Sequence, residues 1–200
     1  MICYTIGHST HPETTFLELL RKHKIDCIVD VRSSPYSKYN PQFKKDNIKH
    51  LLKSNGVIYV FMGDLLGARH NDPSLFFKNT LMVNFSKARN TEKFKKGIER
   101  VIDGINKGHH LALMCAEKDP FDCHRFVLIS YALSKNGIDI NHILSNGSII
   151  SNSDLEHKLL NKYKTNDQQR ELFEAPKTKA DAIEEAYKKR NTDIGYVNEN

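Results

Sequence analysis

The chain has 200 residues, of which 39% are hydrophobic and 27% charged, and its formal net charge is +6. A chain of this length and composition can bury a hydrophobic core without disulfides, so we expect one globular domain. No run approaches the roughly 18 apolar residues of a membrane span, and the chain begins without a secretion signal. These absences exclude the membrane and secreted classes and predict a cytoplasmic protein without a membrane partner.

The charge distribution indicates which class of partner to expect, and the cysteine content indicates which chemistry. Residues 1–164 hold 24 Lys and Arg against 16 Asp and Glu, a net +8, and residues 165–200 hold 6 against 8, a net −2. A basic body favours an anionic small molecule or nucleic acid as partner, although a solvated lysine-rich surface stays an alternative. The four cysteines are too few for a secreted disulfide framework, which directs attention to metal binding or thiol reactivity.

The first half of the chain alternates between predicted strands and helices. A β-rich run at residues 3–6 ends in a cluster of turn residues, and apolar residues recur at helical spacing from Glu13, with Thr10 as the predicted N-cap. The apolar run 27–31 is typical of a strand buried on both faces of a parallel sheet. A helix over residues 43–54 and a third strand over residues 57–61 follow.

The second half continues the alternation after an irregular segment, residues 62–89, to which we assign no element. The further predicted elements are a helix at 91–106, a strand at 109–115, a helix at 123–135, β-rich runs at 140–144 and 148–150, and a last helix from 153 to about 163. The two short runs meet at Asn146 and Gly147 and form either a hairpin or a final strand followed by a loop.

Strands that alternate with helices predict an α/β fold. We expect a mainly parallel sheet flanked by helices in three layers, with a Rossmann-like topology but without the dinucleotide motif. The predicted single domain covers residues 1–164. Residues 165–200 contain one helical stretch and few large apolar residues, so we expect a peripheral, partly helical tail.

Polar side chains follow three of the predicted strands, and in parallel sheets ligands bind beyond the carboxyl ends of the strands. His8 and Ser9 follow the first strand, Asp30 and Arg32 the second, and Cys115 and Glu117 the fourth. We expect all of them on the same rim of the sheet.

The densest cluster of reactive residues, 114–125, lies between a predicted strand and a predicted helix. A helix N-terminus binds anions and lowers the pKa of a nearby thiol. The predicted catalytic residues are Cys115 or Cys123 as a thiolate nucleophile, His124 or His8 as a proton shuttle, and Asp30 or Glu117 as an orienting carboxylate. The residues predicted to bind the substrate are Ser9, Arg32, Ser34, Tyr36, Arg69 and Arg125.

Alternatives to this chemistry stay open. Cys115 can be a small buried hydrophobe at a strand end, with Asp122 as a helix cap. Zinc ligated by Cys115, Cys123 and His124, with His8, is a further alternative. However, only one Cys-His pair is present and neighbours on a helix point in different directions, so we assign no metal. The sequence has no nucleotide-cofactor motif, and we assign no cofactor.

Several of these residues carry a resemblance to a known family. The chain resembles the bacterial domain-of-unknown-function family 488 in Thr5 to Ser9, in Asp30-Val31-Arg32 with Pro35, in Leu66-Gly67, in Cys115-x-Glu117 and in Cys123-His124-Arg125. It departs from the family pattern at Ala68, where a second glycine is usual. The resemblance covers about residues 3–150 and implies an α/β fold with a shared pocket, but it implies no reaction.

Three functions are compatible with the sequence. The leading hypothesis is a small enzyme, a cysteine-dependent hydrolase or transferase, that acts on a nucleotide or a nucleic-acid component. The second is a non-catalytic nucleic-acid-binding or regulatory module in which the same cations hold phosphates. The third is a module stabilised by zinc.

Overall fold

Six strands form one sheet in the computed structural model, which describes residues 1–163 and 178–197. They are β1 (Ile2–Gly7), β2 (Cys27–Asp30), β3 (Ile58–Phe61), β4 (Leu111–Cys115), β5 (Asp139–Ile143) and β6 (Ile149–Ser151). Their order across the sheet is β3-β2-β4-β1-β5-β6, and only the pairing of β6 with β5 is antiparallel. The hairpin alternative for the last two strands is therefore confirmed.

The central strands have unbroken apolar sequences because helices cover both faces of the sheet. Every residue of β2 and β4 is buried. Successive side chains alternate between two cores: Val29 and Leu113 pack into one, and Ile28 and Met114 into the other.

Eight α-helices surround the sheet within the described residues. They are α1 (Glu13–Lys22), α2 (Lys45–Ser54), α3 (Gly63–Leu66), α4 (Phe85–Arg89), α5 (Glu92–Asn106), α6 (Tyr131–Lys135), α7 (Asn152–Lys162) and α8 (Lys179–Ile194). Phe16 of α1 and Ile48 of α2 belong to one core, whereas Val101 of α5, Leu133 of α6 and Leu159 of α7 belong to the other. None of these helices has the length and apolarity that crossing a bilayer requires.

The predicted three-layer α/β fold with a mainly parallel sheet is confirmed. In detail, β4 lies between β1 and β2, whereas the first Rossmann strand lies beside the second. This order brings the carboxyl ends of β1, β4 and β2 side by side. The polar residues after these three strands consequently form one neighbourhood.

The start of α1 differs from the prediction. Thr10 is not its N-cap: the helix begins at Glu13, and Pro12 is the capping residue without a side-chain hydrogen bond. Its φ of −57° and ψ of 150° are extended values that proline adopts readily, so the ring itself sets the entry of the chain into the helix.

The helix predicted at residues 123–135 begins with a π-helical segment, Arg125–Ser130, which continues into α6. The irregular region between β3 and α5 contains α3, a 3-10 turn at Pro73–Leu75, and α4. π-Helical turns are rare and are frequent at functional sites, and this one directly follows the predicted cysteine cluster.

The described part of the tail, residues 178–197, packs on the body through α8. Tyr187 and Arg190 are 1% and 4% exposed. Arg190 donates from Nε to the carbonyl oxygen of Phe121 at 3.1 Å and pairs with Asp122. The predicted peripheral tail also includes residues 165–177 and 198–200. These lie outside the described residues.

Candidate active site at the strand ends

The loops after β1 and β4 run alongside each other and fix the position of the rim residues. The backbone N–H of His8 donates to the carbonyl oxygen of Cys115, and that of Ser9 to Ala116, both at 2.9 Å. A Cβ atom at Gly7 would lie 1.9 Å from the carbonyl oxygen of Glu117. Glycine at this position is what allows the two loops to approach.

A closed ionic network occupies the carboxyl end of β2. Asp30 is fully buried, and its Oδ1 and Oδ2 accept hydrogen bonds from Nε and Nη2 of Arg32 at 2.8 and 2.6 Å. Oδ2 also accepts the hydroxyl of Tyr59 at 2.8 Å. Burial, followed by the Asp30 charge, raises the pKa of Tyr59, so this hydroxyl stays a donor. Tyr59 was not predicted, because its role depends on β3 lying beside β2.

His8 completes this network rather than standing free at the rim. Its Nε2 lies 3.0 Å from Nη1 of Arg32, its Nδ1 lies 2.9 Å from the carbonyl oxygen of Ser9, and its ring stacks on Phe43 at 4.2 Å. Burial and the neighbouring Arg32 lower the pKa of His8 to about 4. The ring is therefore neutral near pH 7, with Nδ1 protonated and Nε2 accepting from arginine.

Two sulfur atoms, a carboxylate and an imidazole meet at the carboxyl end of β4. Oε2 of Glu117 accepts from Cys115 Sγ at 2.9 Å and from Cys123 Sγ at 3.3 Å. Nδ1 of His124 lies 3.6 Å from the first sulfur and 3.8 Å from the second. We call Cys115, Glu117, Cys123 and His124 the cysteine cluster. The sequence predicted all four as catalytic candidates, and the structure brings them together.

Cys123 and His124 share this cluster although they are neighbours in the sequence. Cys123 has an extended backbone, with φ of −131° and ψ of 145°, whereas His124 is already helical. The chain turns between them, so both side chains reach the same point. The objection that neighbours on a helix diverge does not apply, because Cys123 precedes the helix.

The charges around the cluster polarise it. Burial lowers the pKa of His124, but the Cys123 sulfur, Glu117 and the bond from Nε2 to the Val31 carbonyl oxygen outweigh burial, and the net pKa is raised. Burial raises the pKa of Cys123, yet Cys115, Arg125 and His124 lower it to well below the usual range. Hydrogen bonding to Cys123, together with burial, raises the pKa of Cys115. Of the two thiols, Cys123 is therefore the one that loses its proton more easily.

Arg125 supports the cluster from behind. It is fully buried, and its Nη1 and Nη2 donate to the carbonyl oxygens of Glu117 and Lys118 at 2.7 and 3.1 Å. Its Nε has no hydrogen-bond partner among the residues that the structure describes. Arg125 shapes the loop that carries Glu117, whereas the sequence predicted a direct contact with the substrate.

Two adjoining cavities open on the rim. The larger one, of about 540 Å³, is lined by Arg32, Ser34, Tyr36, Arg69, Cys115, Glu117 and His124 among the predicted site residues. The smaller one, of about 380 Å³, is lined by His8, Ser9, Arg32, Ser34, Tyr36 and Glu117. Asp30, Cys123 and Arg125 line neither cavity. The predicted residues thus divide into a lining set and a supporting set.

The C-terminal segment Ile194, Gly195, Tyr196 and Val197 forms a wall of the larger cavity, which the sequence did not predict. Val197 bridges to Met82, and the guanidinium of Arg69 lies 4.2 Å above the ring of Tyr196. In the sequence, this wall was indicated by nothing beyond Tyr196 and Val197 after the predicted tail helix. Two such residues do not reveal where that helix packs on the body.

Gly67, from the middle of the chain, explains how Arg69 reaches the cavity. A Cβ atom at Gly67 would lie 2.3 Å from Oγ of Ser33, and the same Oγ accepts the backbone N–H of Arg69 at 3.0 Å. The glycine lets the two loops touch, and this contact sets the direction of the arginine. Ala68 lines the cavity between them.

Comparison with known proteins identifies a family. The model described as "Domain of unknown function DUF488" matches residues 13–132. This range contains Asp30, Arg32 and the whole cysteine cluster, and it begins after His8. A comparison with curated proteins finds no match.

Proposed function

The chain belongs to the DUF488 family, a domain of unknown function, and we propose from its site that it is a hydrolase or transferase acting on an anionic substrate. One observation carries this proposal. The larger cavity is lined by Cys115, Glu117 and His124 of the cysteine cluster and also by Arg69. A nucleotide or a nucleic-acid component has the charge and size for such a site.

Arg69 is the cation best placed to hold the substrate anion. It is exposed, and no carboxylate within residues 1–163 and 178–197 pairs with it. A guanidinium offers a planar fork of N–H donors that matches phosphate or carboxylate oxygens. Arg32 contributes its positive charge, but most of its donors are bound to Asp30, Phe43 and His8.

Aromatic side chains suit a planar group attached to that anion. Tyr36 lines both cavities and is 67% exposed, and Nζ of Lys44 lies 4.8 Å above its ring. Stacking on exposed aromatic rings next to cations is how many proteins hold nucleobases. This supports a nucleotide-like substrate over a simple inorganic anion.

Glu117 is the group of the cysteine cluster that a substrate or a water molecule reaches most easily. It is exposed and lines both cavities, whereas Cys115 and Cys123 are 3% and 1% exposed. A carboxylate in this position can accept the proton of an attacking water molecule. We therefore propose Glu117 as the general base, supported by His124.

Thiol attack is the second candidate mechanism, favoured by the contact of Cys115 with the cavity. Its sulfur would attack the phosphorus atom of the substrate, and its proton would pass to Glu117 or to His124. The bond from phosphorus to the leaving group would break with the electron pair going to that group, and water or an acceptor would then release the phosphoryl group from the sulfur. Cys123 lines neither cavity, so of the two cysteines predicted as nucleophile only Cys115 meets the substrate. A cytoplasmic location, which we also propose, would keep both sulfurs reduced.

Turnover assays with nucleoside mono-, di- and triphosphates and short single-stranded oligonucleotides test the proposal. We expect Glu117→Gln to lower kcat by about 10²–10⁴-fold. We expect Arg69→Ala to raise KM, with Arg100→Ala on the exposed face of α5 as the matched control. Absence of turnover together with steeply salt-dependent oligonucleotide binding would instead identify a non-catalytic nucleic-acid-binding module.

A further inference from the structure

The cysteine cluster has the composition and the spacing of a metal centre. The ligand atoms of Cys115, Cys123 and His124 all lie within 4.8 Å of one another. In tetrahedral zinc sites, bond lengths of roughly 2.3 Å to sulfur and 2.0–2.1 Å to nitrogen separate a sulfur and a nitrogen ligand by about 3.5 Å. The two sulfur-to-nitrogen distances here are 3.6 and 3.8 Å. Both distances therefore already match a zinc site, and the three atoms lie close enough together to share one ion.

The outer contact of His124 supports the same interpretation. Nε2 lies 3.1 Å from the carbonyl oxygen of Val31 and donates to it, which leaves Nδ1 directed at the two sulfurs. Histidine ligands in metal sites commonly donate their second ring N–H to a carboxylate or a backbone carbonyl in this way, which fixes the tautomer and the ring orientation. The imidazole is thus already oriented as a ligand.

We propose that Cys115, Cys123 and His124 bind one zinc ion whose fourth coordination position faces the larger cavity beside Glu117. Three protein ligands with an open position distinguish catalytic zinc sites from structural ones, which are closed by four. Cys115 and His124 line the cavity, whereas Cys123 lies behind them, so the open side of the cluster is the side that the substrate enters.

Zinc binding leaves the charge of this buried site unchanged. The ion replaces the protons of two thiols, Zn²⁺ + 2 RSH → Zn(SR)₂ + 2 H⁺, and both protons leave to solvent. Glu117 and the buried Arg125 keep their opposite charges. Loss of the two S–H donors frees Oε2 of Glu117, which in the metal-free site accepts both of them.

The freed carboxylate can act as the base that converts a zinc-bound water molecule into the nucleophile of the proposed reaction. This step depends on the proposed function: zinc lowers the pKa of the water molecule that it binds, and Glu117 accepts the proton of that water. The two cysteines then act as ligands, and attack by the Cys115 sulfur is not needed.

Metal analysis of the full-length protein tests the site without any substrate. We expect purified protein to bind about one equivalent of zinc and Co²⁺-substituted protein to show sulfur-to-cobalt charge-transfer absorption. Cys115→Ser, Cys123→Ser and His124→Ala should each weaken zinc binding at least about tenfold. Cys27→Ser, which alters a buried cysteine outside the cluster, is the matched control and should keep the full equivalent.

Glu117→Gln separates the metal site from the reaction. We expect this variant to keep one equivalent of zinc and to lose turnover. Loss of zinc in this variant would make Glu117 the fourth ligand and overturn the open position. Absence of binding by the wild-type protein, or binding unaffected by the ligand substitutions, would overturn the site.

The outcomes for zinc and for function are distinct. Turnover that survives complete removal of zinc would leave the enzyme proposal standing and overturn the catalytic zinc. Zinc bound with the expected ligands but without turnover of any substrate tested would support the site and contradict the proposed function.

Discussion

Two clusters of ionisable residues lie at neighbouring strand ends and differ in how completely their polar atoms are satisfied. At the end of β2, Asp30 accepts hydrogen bonds from Nε, Nη2 and the backbone N–H of Arg32 and from one tyrosine hydroxyl. Beyond the end of β4, Arg125 donates to backbone carbonyls, and its Nε finds no partner within residues 1–163 and 178–197. The carboxylate of Glu117 there accepts hydrogen bonds from two thiols. The first cluster is closed, and the second is open to the cavity.

This difference assigns different tasks to the two clusters. A closed network of opposite charges leaves few donors or acceptors for chemistry, and its rigidity fixes the loops around it. Arg32 also binds the carbonyl oxygen of Phe43 at 2.8 Å, which ties the loop after β2 to the start of α2. We infer that the closed cluster at the end of β2 fixes the shape of the rim and that the cysteine cluster at the end of β4 carries out the reaction.

Breaking the closed cluster should have the largest effect on stability. Asp30→Asn leaves the buried Arg32 without its charge partner, and we expect the free energy of unfolding to fall by about 3–5 kcal/mol in urea titrations. Glu117→Gln in the open cluster is the matched control. Because this carboxylate is exposed, we expect its substitution to lower the free energy of unfolding by less than about 1 kcal/mol.

A milder substitution covers the case in which Asp30→Asn does not fold. Tyr59→Phe removes one hydrogen bond to the same carboxylate and should cost about 1.5–3 kcal/mol. Equal losses for the Asp30 and Glu117 substitutions would contradict the division between a closed and an open cluster.

The two clusters should also respond to pH with opposite sign. The pKa of His8 is about 4 in the folded protein, below its unfolded value of 6.5. The unfolded state therefore binds more protons between these values, and stability falls as the pH drops through this window, by at most about 1.4 kcal/mol per pH unit. For His124 the sign is opposite, because its pKa is raised in the folded protein. Its contribution to stability is fully present below its unfolded pKa of 6.5, and this contribution is lost as the pH rises through its folded pKa.

Unfolding free energies of metal-free protein between pH 4.5 and about 8 check both signs. His8→Gln should flatten the loss on the acid side, whereas His124→Gln should flatten the loss on the alkaline side. His142, whose pKa burial and Arg125 lower to about 3, is unchanged in both variants and gives the same acid-side background. The prediction fails if both substitutions alter the same side.

Much of the fold was predictable because the central strands are buried on both faces and the helices are amphipathic. β2 and β4 have no polar interruption before their carboxyl ends, so their position in a covered parallel sheet follows from the sequence. The strand order did not follow, because it depends on which face and edge each crossover takes. The π-helical turn at Arg125 is also invisible to a 3.6-residue pattern.

The site was predictable to the extent that its residues directly follow strands. The rule that parallel strands end at a common rim predicted that Cys115 shares the rim with Asp30 and Arg32. The dense run of reactive residues at 114–125 predicted the grouping of Cys115 with Glu117 and His124. The rule does not distinguish a residue that lines a cavity from one that supports it, so Arg125 and Asp30 were given direct roles. Tyr196 was missed because its contribution depends on how α8 docks.

The smallest expected effect concerns the C-terminal wall. The ring of Tyr196 lies under the guanidinium of Arg69, and cation–π contacts at exposed sites contribute about 0.5–1 kcal/mol. Tyr196→Ala should therefore raise KM for an anionic substrate by about 2–5-fold and leave kcat unchanged, because the ring orients the arginine and does not touch the cysteine cluster. Tyr39→Ala removes a tyrosine that is 89% exposed and lines neither cavity, and it should change neither constant. A fall in kcat without a rise in KM would place Tyr196 in the reaction itself. A lower KM would instead mean that the C-terminal segment obstructs the larger cavity, which the open cluster faces.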